Sequence, residues 1–105
     1  MKRRSPARWV PERQSVIWID CSPHAGREMR ERHPFAVLSE QEFNDRTSLV
    51  IGLPMTTADY NADNPFAVPA GEVRLGRRRA TSYVLCHQPK SFDWRARSAA
   101  PHPLM

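Results

Sequence analysis

The chain has 105 residues, a mass of 12.1 kDa and a net charge of +5, with sixteen Lys and Arg against eleven Asp and Glu. This length fits one small domain and excludes a second folded one. No run approaches the roughly eighteen apolar residues of a membrane span. Cys21 and Cys86 are too few for a disulfide framework and lack the spacing of a zinc site. We therefore expect reduced, packed thiols in a cytoplasmic protein with no bound metal.

The charge of the chain indicates its class of partner. Nearly all the cations are Arg, whose planar guanidinium binds phosphate through two hydrogen bonds and stacks on bases. A pI near 10 favours an anionic polymer, and nucleic acid is the natural candidate.

The first half of the chain contains two predicted strands separated by a charged loop. Residues 1–13 are basic and carry two prolines, which favours a flexible arm, either a disordered tail or a phosphate-contacting segment. The β-branched and aromatic run Val16–Asp20 predicts a first strand. Residues 24–33 hold a single large apolar residue, so we expect a long mobile binding loop. Phe35–Leu38 then predicts a second strand.

The second half alternates short apolar runs with turn residues. Ser39 is placed as the N-cap of one short helical turn over 39–44. The continuous apolar run Thr47–Leu53 predicts a third strand buried on both faces and ended by Pro54. Later elements are a hairpin of 66–68 with 72–75, a basic turn at 76–79, a strand at 82–86 and a short strand or helical turn at 91–97. The pattern indicates a mainly β protein, a small antiparallel barrel over residues 14–97, followed by a short tail at 98–105.

Two segments carry groups suited to a phosphodiester. Arg32 and His33 immediately precede the second strand, and Thr56 and Thr57 follow the third. If the two strands are neighbours, a cation, an imidazole and a hydroxyl meet at one place, which are the groups needed to bind a phosphate and to move protons around it.

These segments belong to a longer series of motifs that resembles the MazF/PemK family, the endoribonuclease toxins of bacterial toxin–antitoxin pairs. The match covers about residues 9–97, and its specificity lies in the order and spacing of the pieces. They are Trp9-Val-Pro, Val16-Ile-Trp-Ile-Asp, Gly26-x-Glu28, Pro34-Phe-Ala-Val-Leu-Ser39, Leu53-Pro-Met-Thr-Thr57, Pro65-Phe-Ala-Val68, Gln88-Pro-Lys-Ser91 and Trp94-Arg-Ala-Arg97.

The resemblance implies an SH3-like antiparallel β-barrel with short helices, here lacking most of the C-terminal helix usual in the family. It also implies a homodimer, a cognate acidic antitoxin, and metal-independent, cofactor-free cleavage of single-stranded RNA such as mRNA by attack of the 2′-hydroxyl on phosphorus. Thr56 carries over as the family's catalytic threonine with Thr57 as its neighbour, and Glu28 as the glutamate of the mobile loop.

Two positions depart from the family. The residue before Pro34 is His33 where the family has arginine, with Arg32 one position earlier, and His87 stands where many members have aspartate. Our hypothesis is that His33 and His87 share acid and base roles while Thr56, Arg32 and Arg95 hold the phosphate oxygens. The alternative is that both histidines are surface or packing residues and the chemistry is weakened.

Further side chains are candidates for RNA contacts. The RNA-binding set is Glu28, Thr57, Arg77, Arg78, Lys90 and Arg95; the arginines at 77–79 fit a solvated turn equally well. Trp18 and Trp94 are assigned to the core and Trp9 to base stacking. The leading function is an endoribonuclease toxin. The runner-up is a catalytically weakened or inactive module that binds RNA or an antitoxin peptide without cleavage, and a gyrase-directed toxin comes third.

Overall fold

The computed structural model describes residues 9–20 and 32–102, which form one antiparallel sheet system and two short helices. The elements are β1 (Val16–Asp20), β2 (Arg32–Val37), α1 (Gln41–Thr47), β3 (Leu49–Thr56), a 3₁₀ helix (Asp59–Asp63), β4 (Ala67–Leu75), β5 (Arg78–Leu85), β6 (Lys90–Asp93) and β7 (Ala100–Pro101). The prediction of a small, mainly β, antiparallel fold with short helices is confirmed. Neither helix of the described ranges is long and apolar enough to cross a bilayer.

The strands follow the order β4-β5-β3-β2-β1-β7, with β6 paired to β3. Every pairing is antiparallel. The core lies where β1, β2, β3 and the segment after β6 meet, and its buried side chains are Ile17, Ile19, Phe35, Val37, Val50 and Trp94. Trp94 is thus a core residue, as predicted. The alternation of buried and exposed positions along β1 and β2 follows from the two-residue period of a strand.

The third strand differs from its prediction in length and in burial. Pro54 does not end it, because β3 runs on to Thr56: its ladder with β2 ends at Pro54, and a ladder with β5 on its other edge begins at Met55. A proline at the end of one ladder removes one hydrogen bond without breaking the strand. The strand is buried on one face only, since Leu49 and Ile51 are 37% and 40% exposed.

Helix α1 begins one residue later than predicted. Its N-cap is Glu40, without a side-chain capping bond. The Ser39 hydroxyl instead bonds Asn44 Oδ1, and Asn44 Nδ2 donates to the carbonyl of Pro11 at 2.9 Å. Asn44 is fully buried, so it joins the N-terminal segment to the helix.

The predicted hairpin around residues 69–71 is wrong. Those residues form an irregularity inside a single long strand, where the register with β5 shifts between Pro69 and Glu72. The true reversal is the two-residue turn Gly76-Arg77 between β4 and β5. Gly76 has φ +66°, a value that glycine adopts without the steric cost of a β-carbon.

Both ends of the described chain pack against the sheet. Trp9, expected to stack on bases, instead meets Trp94 edge-on with ring centroids 5.9 Å apart and packs against the core. At the other end, β7 pairs with β1 inside the predicted tail, and His102 directly after it is buried.

Candidate active site

Two prolines open a gap between β2 and β3. The ladder between these strands ends with Phe35 opposite Pro54, and the next residue of β2, Pro34, has no N–H to donate to β3. Beyond this point β3 pairs with β5. Continuing the register by two residues brings His33 of β2 opposite Thr56 of β3, with the gap between them.

Two hollows lie at this gap and share His33, Met55 and Thr56. The tryptophan hollow, of about 590 Å³, is completed chiefly by Trp18, Pro34, Val73, Arg74, Ser82 and His102. The lysine hollow, of about 480 Å³, is completed chiefly by Pro54, Leu85, Gln88, Lys90 and Phe92. The imidazole and the hydroxyl predicted to act together therefore border the same space.

The Thr56 hydroxyl is oriented by the backbone. Its oxygen accepts a hydrogen bond from the N–H of Ala58 at 3.2 Å, the turn interaction that the sequence also allowed. A hydroxyl has one proton and two lone pairs. Because the bond to Ala58 uses a lone pair, the Thr56 proton can still be donated to an oxygen in either hollow.

The lysine hollow brings the start of β6 beside the gap. Gly52 of β3 lies between Val37 of β2 and Lys90 of β6 in the paired strands. A β-carbon on Gly52 would lie 2.1 Å from the carbonyl oxygen of Ala36, so only glycine permits this approach. The ammonium of Lys90 makes no ion pair with any described residue, which leaves its charge available to an anion.

The tryptophan hollow has an aromatic wall. The ring of His102 packs against the indole of Trp18, with centroids 4.4 Å apart and planes tilted by 40°. Burial lowers the pKa of His102 below its usual value because the charged imidazolium loses solvation. His102 therefore favours the neutral form, so this wall is mainly apolar.

Three of the predicted catalytic and binding residues lie outside both hollows. Arg32 is opposite Asp20 in the β1–β2 ladder and donates to the carbonyl of Ser98 at 3.5 Å. Arg95 forms a 2.9 Å ion pair with Asp45 of α1 and lies over the ring of Trp94. His87 is exposed and lies beside Phe66, with ring centroids 6.0 Å apart. Of the predicted groups, His33 and Thr56 border both hollows, Thr57 borders only the tryptophan hollow and Lys90 only the lysine hollow.

The remaining candidates are dispersed. Arg77 lies in the β4–β5 turn and Arg78 begins β5, both exposed, which fits the solvated turn that the sequence left open. Glu28 and Cys21 lie outside the described residues. Cys86 is exposed, so the prediction of a packed thiol is wrong for it.

Sequence reasoning missed several groups that border the tryptophan hollow. They are Arg74, Ser82 and His102, together with Trp18, which was placed in the core. Arg74 and Ser82 come from the two strands of the β4–β5 hairpin, whose pairing was mispredicted, and His102 comes from the supposed tail. The missing information was the strand register, which no local motif carried.

Metal-ligating side chains are not clustered in the described part of the chain. Among residues 9–20 and 32–102, no group of three or more His, Cys, Asp or Glu is arranged to hold a metal ion.

The fold and site define a small basic β protein with an imidazole and a hydroxyl at the edge of an anion-accessible gap. Comparison with known proteins identifies the family. A sequence model for the PemK-like, MazF-like toxin of type II toxin–antitoxin systems matches residues 12–102, and the chain belongs to this family of toxin endoribonucleases.

Individual relatives agree with this assignment. The endoribonuclease toxin MazF of Escherichia coli K12 is 34% identical over 93 residues, covering 89% of this chain and 78% of the relative. The endoribonuclease PemK of Escherichia coli is 30% identical over 99 residues, covering 92% and 72%.

Solved structures are also similar. Crystalline MazF from Deinococcus radiodurans has a TM-score of 0.69 at 32% identity, covering 89% of this chain and 79% of the other. A MazE–MazF structure from the same organism has a TM-score of 0.66 at 29% identity, covering 89% and 77%.

Proposed function

We propose that this protein is an active toxin endoribonuclease that cleaves single-stranded RNA in the cytoplasm without a metal ion. The attacking group is the 2′-hydroxyl of the RNA, and the products are a cyclic phosphate and a free 5′-hydroxyl. The observation that supports this most directly is that His33 and Thr56, from two different strands, border the same two hollows.

A single imidazole is sufficient for the proton transfers. We assign to His33 the removal of the 2′-proton as phosphorus is attacked and the return of that proton to the departing 5′-oxygen, so that no proton is gained or lost overall. This assignment differs from the two-histidine hypothesis because His87 lies outside both hollows and beside Phe66.

The developing charge on the phosphorane needs donors. In our proposal Thr56 donates its hydroxyl proton to a non-bridging oxygen, and Lys90 supplies the positive charge that the family's arginine provides. Lys90 borders the lysine hollow together with His33 and Thr56 and is not ion-paired to a described residue. Charge-assisted donors fixed before reaction are the strongest source of such stabilisation.

The decisive experiment is incubation of the purified protein with a single-stranded RNA in EDTA. We expect fragments whose new 5′ ends are hydroxyls and whose 3′ ends are cyclic phosphates. A 2′-deoxy nucleotide at the cleaved link should abolish cutting there. Cleavage that continues at the deoxy link, or that requires added Mg²⁺, would refute the mechanism.

The alternative function is an RNA-binding or peptide-binding module without cleavage. One observation favours it: Arg32, the nearest equivalent of the family's arginine, contacts Ser98 instead of bordering a hollow. Binding of RNA by gel shift with no fragments after prolonged incubation would establish this alternative.

We also propose an acidic antitoxin and a homodimer as partners. The related MazF from Deinococcus radiodurans has been crystallised in a MazE–MazF structure, and a net charge of +5 complements an acidic segment. Leu38, Leu49 and Ile51 are 49%, 37% and 40% exposed, so an apolar surface is available for self-association. Light scattering of wild type and Ile51→Lys would test the dimer.

A further inference from the structure

Ser82 is a buried hydroxyl with no partner among the described residues. It is 1% exposed, and no hydrogen bond from its side chain to a described residue is present. Buried polar side chains almost always have a partner, and an unpaired one lowers stability. A buried hydroxyl that forms no hydrogen bond within the described protein is therefore a candidate for contact with a ligand.

The strand register directs Ser82 towards the tryptophan hollow. Met55 pairs with Val84, and Val73 pairs with Ala80. Since residues directly opposite and two apart share a face of a sheet, Ser82 lies on the same face as Met55 and Val73. All three border the hollow.

The surroundings of Ser82 match the chemistry of a nucleobase. Trp18, held by His102 at 4.4 Å between ring centroids, offers a partly exposed aromatic surface. Arg74 borders the same hollow, is exposed and makes no ion pair with a described residue. An apolar aromatic wall, one hydroxyl and one free guanidinium are the groups with which proteins stack and read unpaired bases.

We infer that the tryptophan hollow is the subsite for the nucleobase next to the scissile phosphate, with Trp18 stacking on the base and the Ser82 hydroxyl bonding its edge. The inference rests on the proposed function, because Thr56 and His33, which would hold that phosphate, border the same hollow. The free hydroxyl and guanidinium favour a base over an apolar peptide side chain, which would leave both unpaired.

The test uses probes that cannot be cleaved. They are 2′-deoxy pentanucleotides that carry one base, A, C, G or U, at the centre and abasic sugars elsewhere, compared by fluorescence anisotropy with a fully abasic pentanucleotide of equal charge. We expect at least one base to tighten binding about tenfold, a gain typical of base–aromatic stacking. Ser82→Ala should reduce that gain about fivefold, as for one hydrogen bond, and leave binding of the abasic probe unchanged.

Two further measurements separate this role from a structural one. Ser91→Ala removes an exposed serine of β6 that does not border the tryptophan hollow and should bind every probe like wild type. Ser82→Ala should melt at the same temperature as wild type or higher, because it deletes an unpaired buried hydroxyl.

Equal affinity for the base-carrying and abasic probes, or an equal loss of affinity for both in Ser82→Ala, would overturn the proposed subsite. Because the probes lack a 2′-hydroxyl, this result is independent of catalysis. A protein that binds the base without cutting RNA would contradict the proposed nuclease alone.

Discussion

Replacing Thr56 with valine removes one hydroxyl while keeping the shape of the side chain. In the structure this hydroxyl accepts a hydrogen bond from the Ala58 N–H at 3.2 Å, and our proposal adds a second role, donation to the phosphorane. Loss of one preorganised donor to a developing oxyanion costs about 2.7–4 kcal/mol in other enzymes. We therefore expect kcat/KM for RNA cleavage to fall by about 10²–10³.

The hydrogen bond from the Ala58 N–H to the Thr56 hydroxyl contributes less free energy than the proposed catalytic role. One hydrogen bond contributes about 1 kcal/mol to stability, which corresponds to about 4–8 °C in the melting temperature of a domain of this size. Thr56→Val should therefore remain folded in an assay at 25 °C, which circular dichroism can check.

Two variants control the interpretation. Thr56→Ser keeps the hydroxyl and should stay within a few-fold of wild type. Thr81→Val alters a half-buried threonine of β5 that borders neither hollow and should leave cleavage unchanged. Cleavage by Thr56→Val within about threefold of wild type, or an equal loss in Thr56→Ser, would show that the hydroxyl does not act on the phosphate.

Further predictions concern protons and packing. His33→Ala should abolish cleavage and His87→Ala should not. In a plot of cleavage rate against pH, wild-type activity should fall only towards acid pH. A bell-shaped plot that loses one limb in His87→Ala would restore the two-histidine scheme. Gly52→Ala should destabilise the fold by about 1–3 kcal/mol or more, measured by urea unfolding, because its β-carbon would lie 2.1 Å from a carbonyl oxygen. Burial lowers the pKa of His102, so its unfolded form binds a proton first and stability should fall as pH drops below about 6.5; His102→Gln should remove that part of the pH dependence of the melting temperature. The hydrogen bond from the Ser48 hydroxyl, followed by that from the Ala96 N–H, lowers the pKa of Asp93. Asp93 therefore stabilises the fold above about pH 3.9 and loses that effect only at more acid pH. The contributions of His102 and Asp93 to stability thus change in different pH ranges.

Local sequence patterns were sufficient to predict where most strands lie, and insufficient to predict which strands pair. Val16–Asp20 was predicted with its bounds intact because a β-branched run followed by Cys-Ser-Pro has few alternatives. Pro54 was misjudged because it was read as the end of a strand, and the segment 69–71 because it was read as a chain reversal. In the fold Pro54 lies where the ladder with β2 ends and the ladder with β5 begins, and 69–71 is a shift in register; both depend on residues distant in sequence.

The same limit applies to the site. His33 and Thr56 were paired from sequence because they flank strands that a family resemblance made neighbours. Arg32 was added as the arginine nearest to the family's position, and Arg95 for its charge. A guanidinium is drawn to the nearest available carboxylate or carbonyl, and Arg95 has found Asp45 of α1. Only the packed chain reveals which cations have been neutralised in this way.

The gap between β2 and β3 is bordered by cations that form no ion pair with a described residue. The ion-paired arginines of the described chain, namely Arg13, Arg46, Arg79 and Arg95, border neither hollow. Arg74 and Lys90, which do border them, have no such partner among described residues. Stability alone would favour pairing these cations or losing Ser82's unpaired hydroxyl, since such changes commonly stabilise a protein. Their presence around His33 and Thr56 agrees with the site that we propose for an anionic polymer with bases.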